Sequence, residues 1–158
     1  MILNALFILV PLLLGIVVPL IALQNRPKPC FKSKYQPPGW VFSIIWPLLY
    51  TITGTAAMII YLKCNKIWGK PLNIWLACLI GILLWWPIFS LYCKRMFALI
   101  WLLVLVALSI WTQVAFLKID KVPFVLQMFM TLWLCFATFL TFTSSSGFTP
   151  LPTTTQHV

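Results

Sequence analysis

Every charged side chain in this 158-residue chain falls into one of four clusters, and the stretches between them are long enough to cross a bilayer. The clusters are Arg26, Lys28, Lys32 and Lys34; Lys63, Lys66 and Lys70; Lys94 and Arg95; and Lys118, Asp120 and Lys121. They leave five charge-free runs of 25, 28, 23, 22 and 37 residues, each reaching the roughly 20 residues a spanning helix needs. Hydrophobic residues make up 63% of the chain and charged residues 8%, far from the balance of a soluble domain. The expected fold is all-α: an integral membrane bundle of five transmembrane helices over residues 1–143. Ser144 to Val158, rich in Ser, Thr and Pro, reads as a disordered tail.

Charge and chemistry then exclude several classes. The net charge of +10 comes from residues flanking apolar spans, where anchoring to anionic head groups of membrane lipid explains it and no nucleic-acid module is visible. Asp120 is the only carboxylate side chain, and His157 lies in the tail. A carboxylate pair, a His-based triad or a His-ligated metal centre therefore cannot be assembled within the membrane, and the chain does not read as an enzyme. Five cysteines show no metal or disulfide spacing.

Taken in order, Met1 to Gln24 lacks the basic start and small-x-small cleavage site of a signal peptide and reads as the first span, loosened at Pro11, Gly15 and Pro19. Asn25 to Pro38 carries four prolines among four cations, which disfavours regular helix and makes it the one substantial cap. The second helix is expected just after Pro37-Pro38 and runs to about Leu62. On it Ser43, Trp46, Pro47, Tyr50, Thr53, Gly54 and Ala57 share one side, and Val41, Ile44, Ile45, Leu48, Ile52 and Ile59 share the other. In a membrane the aliphatic side meets lipid, so the aromatic and small side meets protein or ligand. Helix three, about Leu72 to Cys93, presents Trp75, Cys78, Ile82, Trp85, Trp86, Phe89 and Cys93. Its Ala77-x-x-x-Gly81 pair allows a close helix approach or a homodimer, packing within one chain being favoured. Helix four, about Met96 to Leu117, holds Gln113, which should seek a partner on another helix. Helix five, after Lys121, carries a mildly polar stripe of Thr131, Cys135, Thr138 and Thr141 or Phe142. An interfacial belt accounts for Trp68 and Trp75 but not for the deeper Trp46.

The run Pro37-Pro38-x-Trp40-x-Phe42-x-x-x-Trp46-x-x-Leu49-Tyr50-x-x-x-Gly54 resembles the signature of the TspO/MBR family of translocator and tryptophan-rich sensory proteins. Trp85 with Phe89, and Trp133-Leu134-x-Phe136-Ala137-Thr138, resemble the family's third and fifth helices, while Ile82 stands where the family has Asn. The resemblance implies a membrane receptor or binding protein that requires no cofactor. Its ligands would be hydrophobic: tetrapyrroles such as protoporphyrin, sterols such as cholesterol, and benzodiazepine or isoquinoline drugs. Trp40, Trp46, Tyr50, Trp85, Phe89, Trp133 and Thr138 would form the pocket wall, with Lys32 and Arg26 near its mouth. It further implies, in a eukaryote, the mitochondrial outer membrane. A small transporter or channel, which needs a continuous polar path, and a membrane assembly subunit stay open as alternatives.

Overall fold

The computed structural model describes residues 2–24, 32–65, 69–92 and 95–145, with side chains at 5–17, 33–65, 69–85 and 95–144. Five long helices follow one another: α1 (Ile2–Gln24), α2 (Gly39–Cys64), α3 (Lys70–Tyr92), α4 (Arg95–Leu117) and α5 (Lys121–Thr143). At 1.5 Å per residue each is about 35 Å long or more, enough to cross the hydrocarbon core. By length and apolar composition α2, α4 and α5 qualify as membrane spans, and α1 and α3 contribute the shorter apolar stretches Ala5–Val17 and Lys70–Trp85. The protein is an integral membrane helix bundle, as the charge spacing predicts.

Local chemistry sets the helix ends. Pro37 and Pro38 lack backbone donors, and Pro38, extended at φ −54° and ψ 146°, precedes the first turn of α2. That helix closes at Asn65, whose left-handed backbone (φ 50°) turns its N–H onto the Tyr61 carbonyl at 2.7 Å. Asp120 caps α5 by accepting the Val122 N–H at 2.6 Å, and Pro123 sits in the first turn, where no helical donor is lost.

The helices pack in a closed ring, α1 against α2, α2 against α5, α5 against α4, α4 against α3 and α3 back against α1, with a lesser α2–α3 contact across it. Glycines permit the closest approaches. Gly54 of α2 lies on the backbone of Phe7 and Ile8 in α1, and Gly15 of α1 makes room for the Tyr50 ring. Gly81 of α3 lies against Leu105 of α4, and its carbonyl accepts the Trp101 indole N–H at 3.0 Å. The small-residue pair of α3 thus serves the α3–α4 seam at Gly81, while Ala77 is exposed. Outward-facing Ile44, Leu48, Ile100, Leu103 and Leu132 form an apolar exterior suited to lipid.

Some facial expectations for α2 need correction. Tyr50, Thr53, Gly54 and Ala57 are buried as expected, but Ser43 is exposed, and Ile45, Ile52 and Ile59 are half-buried instead of lipid-facing. A helix contacting α1, α5 and, in part, α3 is covered over more than one stripe, so Leu49 and Ile60 are buried too. Trp75, assigned to the interfacial belt, is buried and bonded inside the bundle. The tail boundary also moves. Ser144–Ser145 form β2, paired antiparallel with β1 (Lys32–Ser33) in the register Lys32 to Ser145 and Ser33 to Ser144. Residues 146–158 lie outside the described residues.

Two polar clasps mark the two faces of the bundle. At one, Lys63 near the end of α2 pairs with Asp120 at the start of α5; at the other, Arg95 donates to the Ser144 carbonyl at 2.7 Å. The Lys63 ammonium, followed by the Val122 N–H, holds the Asp120 carboxyl below its ordinary value. Because the folded state lowers this value, its contribution is complete above the ordinary carboxylate range and is lost as pH falls through the lowered one. Thermal unfolding in detergent is expected to show a modest acid-side loss of stability in the wild type that Asp120→Asn lacks. Equal losses in both proteins would place the acid-sensitive interaction elsewhere.

Candidate functional site

An aromatic cluster occupies the seam between α2 and α5. Trp46 and Tyr50, one turn apart on α2, stack with ring centroids 5.7 Å apart and an interplanar angle of 26°. Trp133 of α5 meets Trp46 edge-on at 6.2 Å and 87°. Phe42 and Phe136 complete the group, at 5.6 and 5.4 Å from the Trp133 ring. Offset and edge-on pairs of this kind are the arrangements that aromatic quadrupoles favour. Tyr50 is 4% exposed, and its ring lies where a side chain on Gly15 would otherwise sit. That glycine of α1 therefore determines how deep the wall of the cluster extends.

The Trp133 indole nitrogen is buried and finds no acceptor among the described residues. Leaving such a donor unpaired costs about 1–3 kcal/mol, and the rings of Phe42, Trp46 and Phe136 surround its side chain. Away from the first loop the bundle interior is closed: Ala57, Phe116 and Met130 are fully buried. Toward the loop, Trp46, Trp85, Trp133, Ala137 and Thr138 are only half-buried, so packing loosens in that direction.

The end of the first loop lies over this half. Besides the β1–β2 pairing, the Ser33 hydroxyl shares a 2.7 Å hydrogen bond with that of Thr143, and Tyr35 packs on Phe139 with centroids 5.6 Å apart. Arg95, by holding the Ser144 carbonyl, ties α4 to the same latch. Only non-local pairing makes this latch, which is why the Ser/Thr-rich segment reads as a tail.

Of the residues singled out from sequence, Trp46, Tyr50 and Trp133 are brought together. Trp85 packs against the same core from α3. Trp40 is 65% exposed at the start of α2 and stands apart from the cluster. The Thr138 hydroxyl donates to the Leu134 carbonyl at 2.8 Å, so its hydrogen is committed within its own helix. Arg26 and the side chains of Lys32 and Phe89 lie outside the described residues.

A second constellation, foreseen in sequence only at Gln113 and Thr131, crosses the bundle below the aromatics. Gln127 of α5, 1% exposed, accepts the Thr53 hydroxyl at 2.6 Å and donates to the Ser109 hydroxyl at 3.2 Å. Trp75 of α3 donates to the Thr53 oxygen at 3.0 Å. Ser109 bonds the Thr131 hydroxyl at 2.7 Å, and Gln113 donates to the same oxygen at 2.8 Å, the interhelical partner expected for it. Four helices are thereby cross-linked at one level. The signal was available: Gln127 extends the Thr131–Thr138 stripe by one turn toward the amino end of α5. Among the described residues no group of three or more His, Cys, Asp or Glu could hold a metal ion.

The fold and the site define an integral membrane bundle of five helices with a latched loop and an aromatic seam. The chain belongs to the TspO/MBR family, whose model matches residues 7–145, nearly its whole length. A comparison with curated proteins finds no match. Family membership gives the protein a general role in membrane ligand binding or transport.

Proposed function

We propose that the protein is a receptor for flat hydrophobic ligands, held against the α2–α5 aromatic seam beneath the first loop and passed on in transport or sensing. Tetrapyrroles such as protoporphyrin fit best, ahead of sterols such as cholesterol and benzodiazepine or isoquinoline drugs. The observation that carries this reading is the buried Trp133 N–H, which has no acceptor among the described residues and is set among the rings of Phe42, Trp46 and Phe136. A dicarboxylate with a planar macrocycle supplies both the acceptor and the stacking surface. Arg26 and Lys32 of the first loop are the cations proposed for the mouth. In a eukaryote the proposed site of action is the mitochondrial outer membrane. A channel finds less support, because the polar groups of Gln127, Ser109 and Thr131 link helices at one level and do not line a path along them.

Quenching of tryptophan fluorescence by protoporphyrin in detergent-purified protein tests the reading. Trp133→Phe, which removes the donor and keeps an aromatic ring, is expected to weaken porphyrin binding about tenfold, the value of one charge-assisted hydrogen bond. Trp46→Phe is expected to weaken it less, through lost stacking area. Unchanged affinity in both variants, with reduced thermal stability, would make the cluster a packing element and place the ligand elsewhere.

A further inference from the structure

A second surface, on the face of the bundle away from the first loop, has the shape and charge of a lipid site. A groove of about 440 Å³ lies between the first half of α3 and the second half of α4, lined by Lys70, Asn73, Ile74, Ala77, Leu108 and Trp111. It is polar at one end and apolar along the rest. Lys70 and Asn73 stand in the first turn of α3, at the membrane boundary, and Ala77 lies about 10 Å deeper along the helix. Ile74 is buried, the small Ala77 side chain leaves the channel open, and Trp111, 52% exposed, stands beside it with Leu108.

The charge ledger of the chain identifies the occupant. Asp120 is the only acidic side chain among 158 residues, and Lys63 already engages it. Lys70 is exposed, and no other carboxylate side chain exists in the chain to pair with it. As for the chain's other cations apart from Lys63, its counter-ion comes from outside the protein, but Lys70 is the one that lines this groove, at the depth where phospholipid head groups lie. We infer that this groove binds one anionic phospholipid, with its phosphate on the Lys70 ammonium and Asn73 amide and an acyl chain along Ile74, Ala77 and Leu108 beside Trp111. The inference is independent of the porphyrin reading, since the groove and the aromatic seam share no residue.

Native mass spectrometry of the full chain, offered phosphatidylglycerol and phosphatidylcholine with the same acyl chains, tests it. The wild type is expected to retain the anionic lipid about fivefold better, the value of one lysine at the head-group level. Lys70→Gln should bring that ratio close to one. Lys121→Gln, a cation on the same face but outside the groove, should leave it unchanged. Ala77→Trp, which fills the apolar channel from an exposed position, should reduce retention of both lipids without lowering thermal stability. Inorganic phosphate at millimolar concentration should not displace the lipid. Equal effects of Lys70→Gln and Lys121→Gln would reduce the site to diffuse surface charge. Full retention in Ala77→Trp, or displacement by free phosphate, would overturn the role assigned to the groove.

Discussion

Replacing Gly54 by alanine is expected to cost about 1–3 kcal/mol of bundle stability, the range of overpacking in a closed core. The added methyl would fall within the contact distance of the Phe7 carbonyl oxygen and 3.0 Å from the Ile8 Cα, both backbone atoms of α1. Backbone cannot swing aside as a side chain can, so the whole of α1 must withdraw from α2. Gains in helix propensity, about 1 kcal/mol for Gly to Ala, offset only part of this. The other glycines provide a graded comparison. A methyl on Gly81 meets the side-chain end of Leu105, 2.6 Å away, instead of backbone and should cost less; one on Gly39 meets nothing within 4 Å and should be neutral or stabilising. Gly15→Ala is different in kind, because it strikes the Tyr50 ring and should disturb the aromatic seam as well as the packing. Thermal unfolding in detergent should rank Gly54→Ala as clearly less stable than Gly39→Ala. Equal stability would mean that α1 is not seated on α2 at this point.

The five helices are legible because the bilayer imposes a length and charges must stay near its faces. The helix-starting role of Pro37-Pro38 is legible for a simpler reason, since proline cannot donate. The ends of α2, α4 and α5 fall within two residues of those read from charge and proline positions. Facial assignments fare less well. Periodicity identifies the stripe holding Trp46, Tyr50 and Gly54, but it does not say how many neighbours a helix has, and so it misses the burial of Leu49 and Ile60. Trp75 is misplaced because an indole near a helix start suits a belt equally well. Only the nearness of Thr53, on another helix, reveals the internal bond. The β1–β2 latch is non-local in the extreme, joining residues more than a hundred positions apart, and two-residue strands have no periodicity to detect.

The buried polar cross-links also bear on how the proposed ligand-binding half of the protein is supported. Trp46 and Trp133 lie on α2 and α5, the two helices that the Thr53–Gln127 bond joins. The aromatic seam is therefore braced below by Gln127, and above by the loop latch through Ser33 and Thr143. Loss of the lower brace should widen the seam without removing any aromatic group, and a variant at Gln127 probes this from outside the proposed site.

The Gln127→Glu variant is expected to show the largest pH effect of any single change in the chain. Its protonated carboxyl nearly matches the amide in shape, can accept the Thr53 hydroxyl and can donate to Ser109, so at low pH the network should persist. Ionisation is another matter. At a position 1% exposed within a membrane bundle and almost two turns into α5, the ionised carboxylate loses its hydration and is disfavoured. The folded state therefore retains the proton more tightly than the unfolded state, and stability should fall as pH rises through the neutral range. Gln127→Leu, which has no ionisable group, provides the control. It loses two interhelical bonds, each worth about 0.6 kcal/mol on average in a membrane protein, and its loss should be independent of pH. Thermal unfolding of both variants between acid and neutral pH separates the two effects. A flat profile for Gln127→Glu would mean that water reaches this level of the bundle and keeps the carboxylate hydrated. The network would then be one station on a polar path, and the channel reading would displace the receptor.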